Sequence, residues 1–425
     1  MLISFRVANY RSFGDEQTLS MIASPRLTEH PGHCVPLPGT DQKILRNAVI
    51  YGANAAGKSN LFKAMRFARN RILGSESEAI HFRFRESFEP ATFEFQFLVD
   101  ENIYTYGFDI RGTEIISEWL DFGPNQESLF TRNAGGKTTI NDPKKRLAGA
   151  KDVIDALVTL GLRSRQLFLS RIADLAFESR GDTLHQVVSW FQEQVTLIGP
   201  DEKVESFVDS FGRPEFVNFA SRYLQRVGTG IAEIGIHEKE LYSLSHDVRE
   251  LVKGVYHDLG GAIREQDGKT WGVIPRATHR IGSDEYRITL RDESDGTRRL
   301  LEMLPLIQKE QTQAGVVVVD EFDRSLHPLL SWEFVKNFND LHAGERKQLI
   351  VTTHDTHLMH HDLLRRDEVF FIEKDEKQQS RISSLSEFNV RKDLRLEKGY
   401  LLGRFGGIPH IHEPAVECET TAVGD

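Results

Sequence analysis

An α/β fold with a mostly parallel central sheet, an antiparallel β meander and a compact helical insertion is what this 425-residue sequence predicts. Three stretches predict it. The apolar run Asn47-Ala48-Val49-Ile50-Tyr51 leads through a glycine-bounded loop into the helix-forming segment 60–65. Residues 315–319, with four consecutive valines, read as a parallel strand buried on both faces, and they end in Asp320-Glu321. Residues 348–353 read as a further strand that ends at His354-Asp355. Strands alternating with helical segments make a parallel sheet covered by helices.

The loop after the first strand, Gly52-Ala53-Asn54-Ala55-Ala56-Gly57-Lys58-Ser59-Asn60, satisfies G-x-x-x-x-G-K-[ST] in its required strand-loop-helix setting. Glycines at both ends let the backbone curl so that successive N–H groups point at phosphate oxygens. Lys58 then reaches the β/γ-phosphates, the Ser59 hydroxyl is placed for Mg²⁺, and the helix adds the positive end of its dipole. The bland reading, a glycine turn before a helix, does not account for the second motif. At the carboxyl end of the valine strand Asp320 can hold Mg²⁺ through water, and Glu321 can orient and activate an attacking water. A strand that delivers His354 beside Glu321 adds a hydrogen-bonding group near the γ-phosphate.

The remaining elements follow in order. Alternation in Phe93-Glu94-Phe95-Gln96-Phe97 and in Ile103-Tyr104-Thr105-Tyr106 reads as an antiparallel meander between Thr92 and Phe122. Asn133-Ala134-Gly135-Gly136-Lys137-Thr138 imitates a second phosphate loop, but Thr131 stands where its first glycine belongs, so it reads as a hairpin turn. From Leu184 to Asp267 the pattern is mostly helical, broken at Pro200, Pro214 and Gly228, with no sustained heptads. In Glu293-Ser294-Asp295-Gly296-Thr297-Arg298-Arg299, Ser294 or Asp295 can cap a helix, and a Ser-x-Gly at a helix start can bind phosphate. Downstream of the acidic pair come Phe322-Asp323-Arg324-Ser325-Leu326-His327-Pro328 and another helix.

This order of motifs resembles the ABC-type ATPases of the SMC and RecF kind, and more narrowly the short stand-alone ATPases of bacterial restriction and phage-defence loci, including RloA-like proteins. The opening stretch Leu2-Ile3-Ser4-Phe5-Arg6-Val7-Ala8-Asn9-Tyr10-Arg11-Ser12-Phe13 and the closing stretches Arg391-Lys392-Asp393-Leu394 and 400–409 are similar to the same family. The resemblance implies ATP and Mg²⁺ as ligands, Glu321 as general base, and His354 as switch histidine. It further implies that Ser294 and Gly296 complete the site of an opposite subunit, with Ser325 in a partner-contacting loop. The signature reads Ser-Asp-Gly-Thr-Arg where transporters carry Leu-Ser-Gly-Gly-Gln. A glutamine loop is not obvious, Gln166 and Ser170 being the candidates.

Composition fits a cytoplasmic globular enzyme: 39% hydrophobic, 27% charged, a net charge of −10 and two cysteines, Cys34 and Cys418, far apart. No run approaches the roughly 18–20 apolar residues of a membrane helix, and the amino terminus lacks a basic start followed by an apolar core. No guanine-reading Asn-Lys-x-Asp is present. His354, His357, His360 and His361 have spacing that can bind metal, but read better as the surface of a helix after the last strand. His410 and His412 read as part of a disordered tail. Basic groups at Lys144-Lys145-Arg146, Arg163 with Arg165, Arg298-Arg299 and Arg365-Arg366 can each touch a nucleic-acid backbone, although a net-acidic body argues against a general nucleic-acid coat.

The expected organisation is a first ATPase half over 1–183, a helical lobe over 184–267 and a second half over 268–425. The expected activity is ATP hydrolysis in a head-to-tail homodimer, or a higher oligomer built from dimers. It would act in anti-phage defence or restriction with a separately encoded effector such as a nuclease. A RecF-like repair ATPase that clamps DNA is the alternative.

Overall fold

The computed structural model describes residues 1–85, 89–133, 135–161, 163–174, 183–202, 210–241, 246–258, 261–266, 268–308, 315–388 and 396–407. Residues 391–394, 408–410, His412 and Cys418 therefore lie outside the described residues. Among the described residues the strands form four sheets. The largest is antiparallel and seven-stranded, in the order β10-β9-β8-β7-β6-β1-β2. Its strands are β1 (Leu2–Ala8), β2 (Gln17–Ser20), β6 (Ala91–Val99), β7 (Asn102–Arg111), β8 (Glu114–Phe122), β9 (Glu127–Arg132) and β10 (Thr138–Ile140). In β6 the period of two is plain: Phe93, Phe95 and Phe97 are buried, while Glu94 on the other face takes Arg6 and the Trp119 indole. β9 and β10 close the hairpin expected around residue 135.

The six-stranded sheet runs β11-β16-β17-β5-β18-β19. It comprises β5 (Asn47–Tyr51), β11 (Val195–Ile198), β16 (Val316–Val319), β17 (Gln348–Thr352), β18 (Val369–Lys374) and β19 (Ser380–Ser384), parallel except where β19 turns back on β18. The valine run explains its position. Val316 and Val318 enter the core shared with the antiparallel sheet and α1 (Lys58–Ile72), whereas Val317 and Val319 enter a second core on the opposite face. That second core is filled by α7 (Asp295–Ile307), α8 (Pro328–Leu341) and α9 (Leu396–Leu401). Gln348 ties the sheets together: its Oε1 accepts Leu2 N at 2.5 Å, and its Nε2 donates to Leu2 O and Leu45 O, each at 2.8 Å.

A four-stranded antiparallel sheet holds β12 (Ile231–Leu241), β13 (Ala262–Gln266), β14 (Lys269–Ile281) and β15 (Asp284–Thr289), and a two-stranded one holds β3 (Cys34–Pro36) and β4 (Lys43–Leu45). The other helices are α2 (Lys151–Leu160), α3 (Phe168–Asp174), α4 (Thr183–Ser189), α5 (Pro214–Arg226) and α6 (His246–Asp258).

The six-stranded sheet is parallel but for β19 and stands beside the larger antiparallel one. Two expectations change. The segment 184–267 is not a helical lobe. β11 joins the parallel sheet beside β16, and β12 and β13 pair with β14, so the small sheet runs across the expected boundary at 267. Glu238, Lys239 and Glu240 disfavour a strand by propensity, and the long pairing with β14 overrides them. After β17 no long helix follows. Asp355 caps a short turn over Thr356–Leu358 through His357 N, and the histidines sit around that turn.

Candidate functional site

β5 delivers the chain to Gly52, where a Cβ would overlap the Ile372 carbonyl of β18, so a side chain cannot be accommodated there. The loop then turns through Ala55 at φ 64° and Gly57 at φ 123°. A Cβ on Gly57 would overlap the Ser380 and Ser12 hydroxyls, which back the loop. Ser380 Oγ donates to Ala56 O at 2.5 Å and lies 2.8 Å from Ser12 Oγ, which also receives Asn60 Nδ2 at 2.8 Å. Asn54 and Ala55 are exposed, and no acidic residue occupies the first turn of α1, so the positive end of the helix dipole stands bare.

Lys58 is buried and carries no ion pair among the described residues. Its Nζ donates to Gly52 O at 2.7 Å and meets His354 Nε2 at 2.9 Å, with Ala53 O at 3.4 Å. Burial lowers the pKa of Lys58, opposed by the nearby Asp323, Asp320 and Glu321. The His354 pKa is also lowered, by partial burial first and the Lys58 charge second. An ammonium can only donate, so His354 Nε2 is the acceptor and the imidazole proton sits on Nδ1.

Across the sheet, the carboxyl ends of β16 and β17 are clipped together. Thr352 Oγ1 donates to buried Asp320 Oδ1 at 2.6 Å and accepts Glu321 N at 2.9 Å. Glu321 itself adopts φ 51°, a left-handed conformation that turns the chain out of the strand and leaves its carboxylate exposed. Asp323 accepts His354 N at 3.2 and 3.3 Å. Lys58, Asp320, Glu321 and His354 thus gather at the carboxyl edge of the parallel strands, where α/β sheets bind ligands.

The signature segment is built around its cap. Ser294 Oγ accepts Thr297 N at 3.2 Å and lies 2.9 Å from Thr297 Oγ1. A Cβ on Gly296 would overlap Ser325 O, so the signature rests on the loop after the acidic strand, where Ser325 has φ 63°. Leu329, in the first turn of α8, is 69% exposed beside that loop. The glutamine-loop candidates are not brought to this edge. Gln166 O receives the Arg132 guanidinium, buried Ser170 donates to Leu167 O, and Glu118 accepts Phe168 N and Leu169 N at the start of α3.

Most of the basic groups are already engaged. Lys144 and Arg146 pair with Glu127, Arg365 is buried against Asp367, and Arg299 is buried and donates to Glu202 O. His357 bonds Asp355 and His360 pairs with Asp362; no cluster that can hold a metal occurs among the described residues. Ser59 and Asp320 are oxygen donors of the kind Mg²⁺ takes, and so few protein ligands suit an ion held largely by substrate phosphates and water. Sequence reasoning missed Ser12, Ser380, Thr352 and Asp323, whose roles appear only when distant segments meet.

No helix among the described residues is long and apolar enough to cross a membrane. No curated protein matches the chain. Among solved structures, the SMC head domain from Thermotoga maritima aligns at 14% identity with a TM-score of 0.39, covering 90% of this chain and 98% of that one. The SMC head bound to the C-terminal winged-helix domain of ScpA gives 14%, 0.39, 90% and 97%. An SMC head with an extended coiled coil, bound to the C-terminal domain of ScpA derived from Pyrococcus furiosus, gives 14%, 0.37, 95% and 98%. Residues 48–360 match the family described as "AAA domain, putative AbiEii toxin, Type IV TA system", a span that reaches from β5 through the phosphate loop, the acidic strand and His354. The chain belongs to this AAA-domain family.

Proposed function

We propose that this protein binds and hydrolyses ATP with Mg²⁺, that two copies complete each other's sites head to tail, and that the cycle controls a separately encoded effector in a bacterial defence system. One observation carries the ATPase reading: a buried lysine at the end of a phosphate loop bonds loop carbonyls and a histidine, with no carboxylate ion-paired to it among the described residues, beside an acidic strand end. Triphosphate offers Lys58 better acceptors than Gly52 O; once Lys58 leaves it, His354 can carry a proton on Nε2 and donate to the γ-phosphate. Glu321, exposed at the strand end, takes the proton of the attacking water. Thr352 fixes the rotamer of Asp320, which with Ser59 would hold Mg²⁺. Bound Mg²⁺ would neutralise charge developing on the β- and γ-oxygens.

The dimer reading is supported by Gly296 and Ser325 lying together with Leu329 exposed beside them, one surface that a second copy can cover. The defence reading is supported by the family description, which names a toxin and a toxin–antitoxin system. A DNA clamp draws less support, because several basic pairs are occupied by carboxylates of the same chain. The test is sedimentation of Glu321→Gln with and without MgATP, beside phosphate release by the wild type. Turnover by the wild type and ATP-dependent association of the variant are expected. Absence of turnover sinks the ATPase reading, and a variant that stays monomeric with ATP bound sinks the dimer.

A further inference from the structure

The short loop 199–202, at the exit of β11, touches three parts of the site at once. Asp320 N donates to Ile198 O at 3.0 Å, so the loop begins beside the end of the acidic strand. Glu202 then reaches two ways. Its carboxylate accepts Gly199 N at 2.8 Å and pairs with Arg66 of α1, about two turns beyond Lys58. Its carbonyl accepts Arg299 Nη1 at 3.1 Å, about one turn inside the signature helix α7. Arg299 is buried, and its Nε and Nη2 have no hydrogen-bond partner among the described residues, so the Glu202 carbonyl is what holds the guanidinium. Asp201 pairs with Arg324 at 2.7 Å, next to Ser325, whose carbonyl abuts Gly296. One loop thereby fixes the start of the signature helix from two sides.

The helix α1 does not need the ion pair. Leu61, Phe62, Met65 and Phe67 bury it in the core, and the Arg66 guanidinium already lies over the Phe62 ring at 4.7 Å. The loop has no such anchor, since Asp201 and Glu202 are exposed. A half-exposed ion pair adds little to stability. Its effect here is on position. Gly199 is part of the fit, because a Cβ there would lie 3.1 Å from Glu202 Oε2 and 3.2 Å from Arg66 Nη2.

We infer that Glu202 and Arg66 are positioning residues for the site of the opposite subunit: they brace the loop that holds Arg299 and Arg324, and so set Ser294 against a second copy's γ-phosphate. The inference rests on the head-to-tail reading. It adds that the phosphate-loop helix of one site is the footing for the signature of the other. Glu202 bonds α1 and α7 but, among the described residues, makes no bond to its own phosphate loop, so its loss should be felt in the partner's site.

The test is ATP turnover by full-length subunits, alone and mixed. Glu202→Arg is expected to lower kcat by about 5- to 150-fold, the usual range of coupling between sites, with KM for ATP and melting temperature near wild type. Arg66→Glu should do the same, and the charge-swapped double variant should recover most of the loss. Mixing Lys58→Ala with Glu202→Arg subunits should raise turnover to about a quarter of wild type, because half the dimers are mixed and each of these keeps one intact site. Lys58→Ala mixed with Ser294→Asp is the control. If the control complements and Glu202→Arg does not, Glu202 serves its own site and the inference falls while the dimer stands. A rise in KM matching the loss of kcat, or a charge swap that recovers nothing, also overturns it. If the control fails to complement, the head-to-tail reading falls and the inference with it.

Discussion

His354 accepts from Lys58 only while its Nε2 is unprotonated, which gives this contact a definite pH sign. Partial burial and then the lysine charge hold the imidazole pKa below its ordinary value. The unfolded chain takes up that proton near pH 6.5, so stability from the contact is complete above that pH and declines as pH falls towards the lower folded value. Melting temperature measured from pH 7.5 to 5.5 is therefore expected to fall less steeply in His354→Gln than in the wild type; equal slopes would show that the contact does not titrate. Gly57 makes a second case. At φ 123°, against two hydroxyls, alanine is expected to cost about 1–3 kcal/mol. Nucleotide binding should be lost with it, as in Lys58→Ala, and calorimetry with an ATP analogue separates the two because only Gly57→Ala lowers the melting point as well.

Helix α7 shows one residue serving an element and a site at once. Ser294→Ala removes a side-chain cap and is expected to cost about 1 kcal/mol. Ser294→Asp keeps the cap but sets a carboxylate where the dimer reading places a γ-phosphate, so turnover should collapse at near wild-type stability. Parallel losses of stability and turnover in both variants would make Ser294 a cap alone. The serine cap, the valine strand and the phosphate loop could be read from the sequence because each is a local pattern: a capping residue, a continuous β-branched run, two glycines before Lys-Ser. β11 escaped because Val195-Thr196-Leu197-Ile198 is short and becomes a strand only by lying against β16. β12 escaped because its glutamates and lysine hide the alternation that β14 stabilises. Ser12 and Ser380 escaped for a different reason: 368 positions apart, they share a hydrogen bond that no local pattern encodes.

At the scale of the molecule, the antiparallel sheet, the parallel sheet and the helices behind it share two cores that meet at the six-stranded sheet. Leu329 is the apolar side chain left outside them beside the Ser325 loop. Leu329→Glu in the Glu321→Gln background is expected to block ATP-dependent association while leaving binding to the monomer intact, measured by sedimentation beside calorimetry; unchanged association would place the subunit contact elsewhere. The bond between Ser12 and Ser380, like that between Leu2 and Gln348, sets an order on synthesis. A ribosome that has released the whole phosphate loop has yet to make the strands on either side of it and the hydroxyl beneath it. The nascent chain therefore carries an unsupported loop until Ser380 has emerged, more than three hundred residues after the loop itself. Competence to take up nucleotide is thus acquired late and all at once, so fragments truncated before Ser380 should emerge inert rather than partly active.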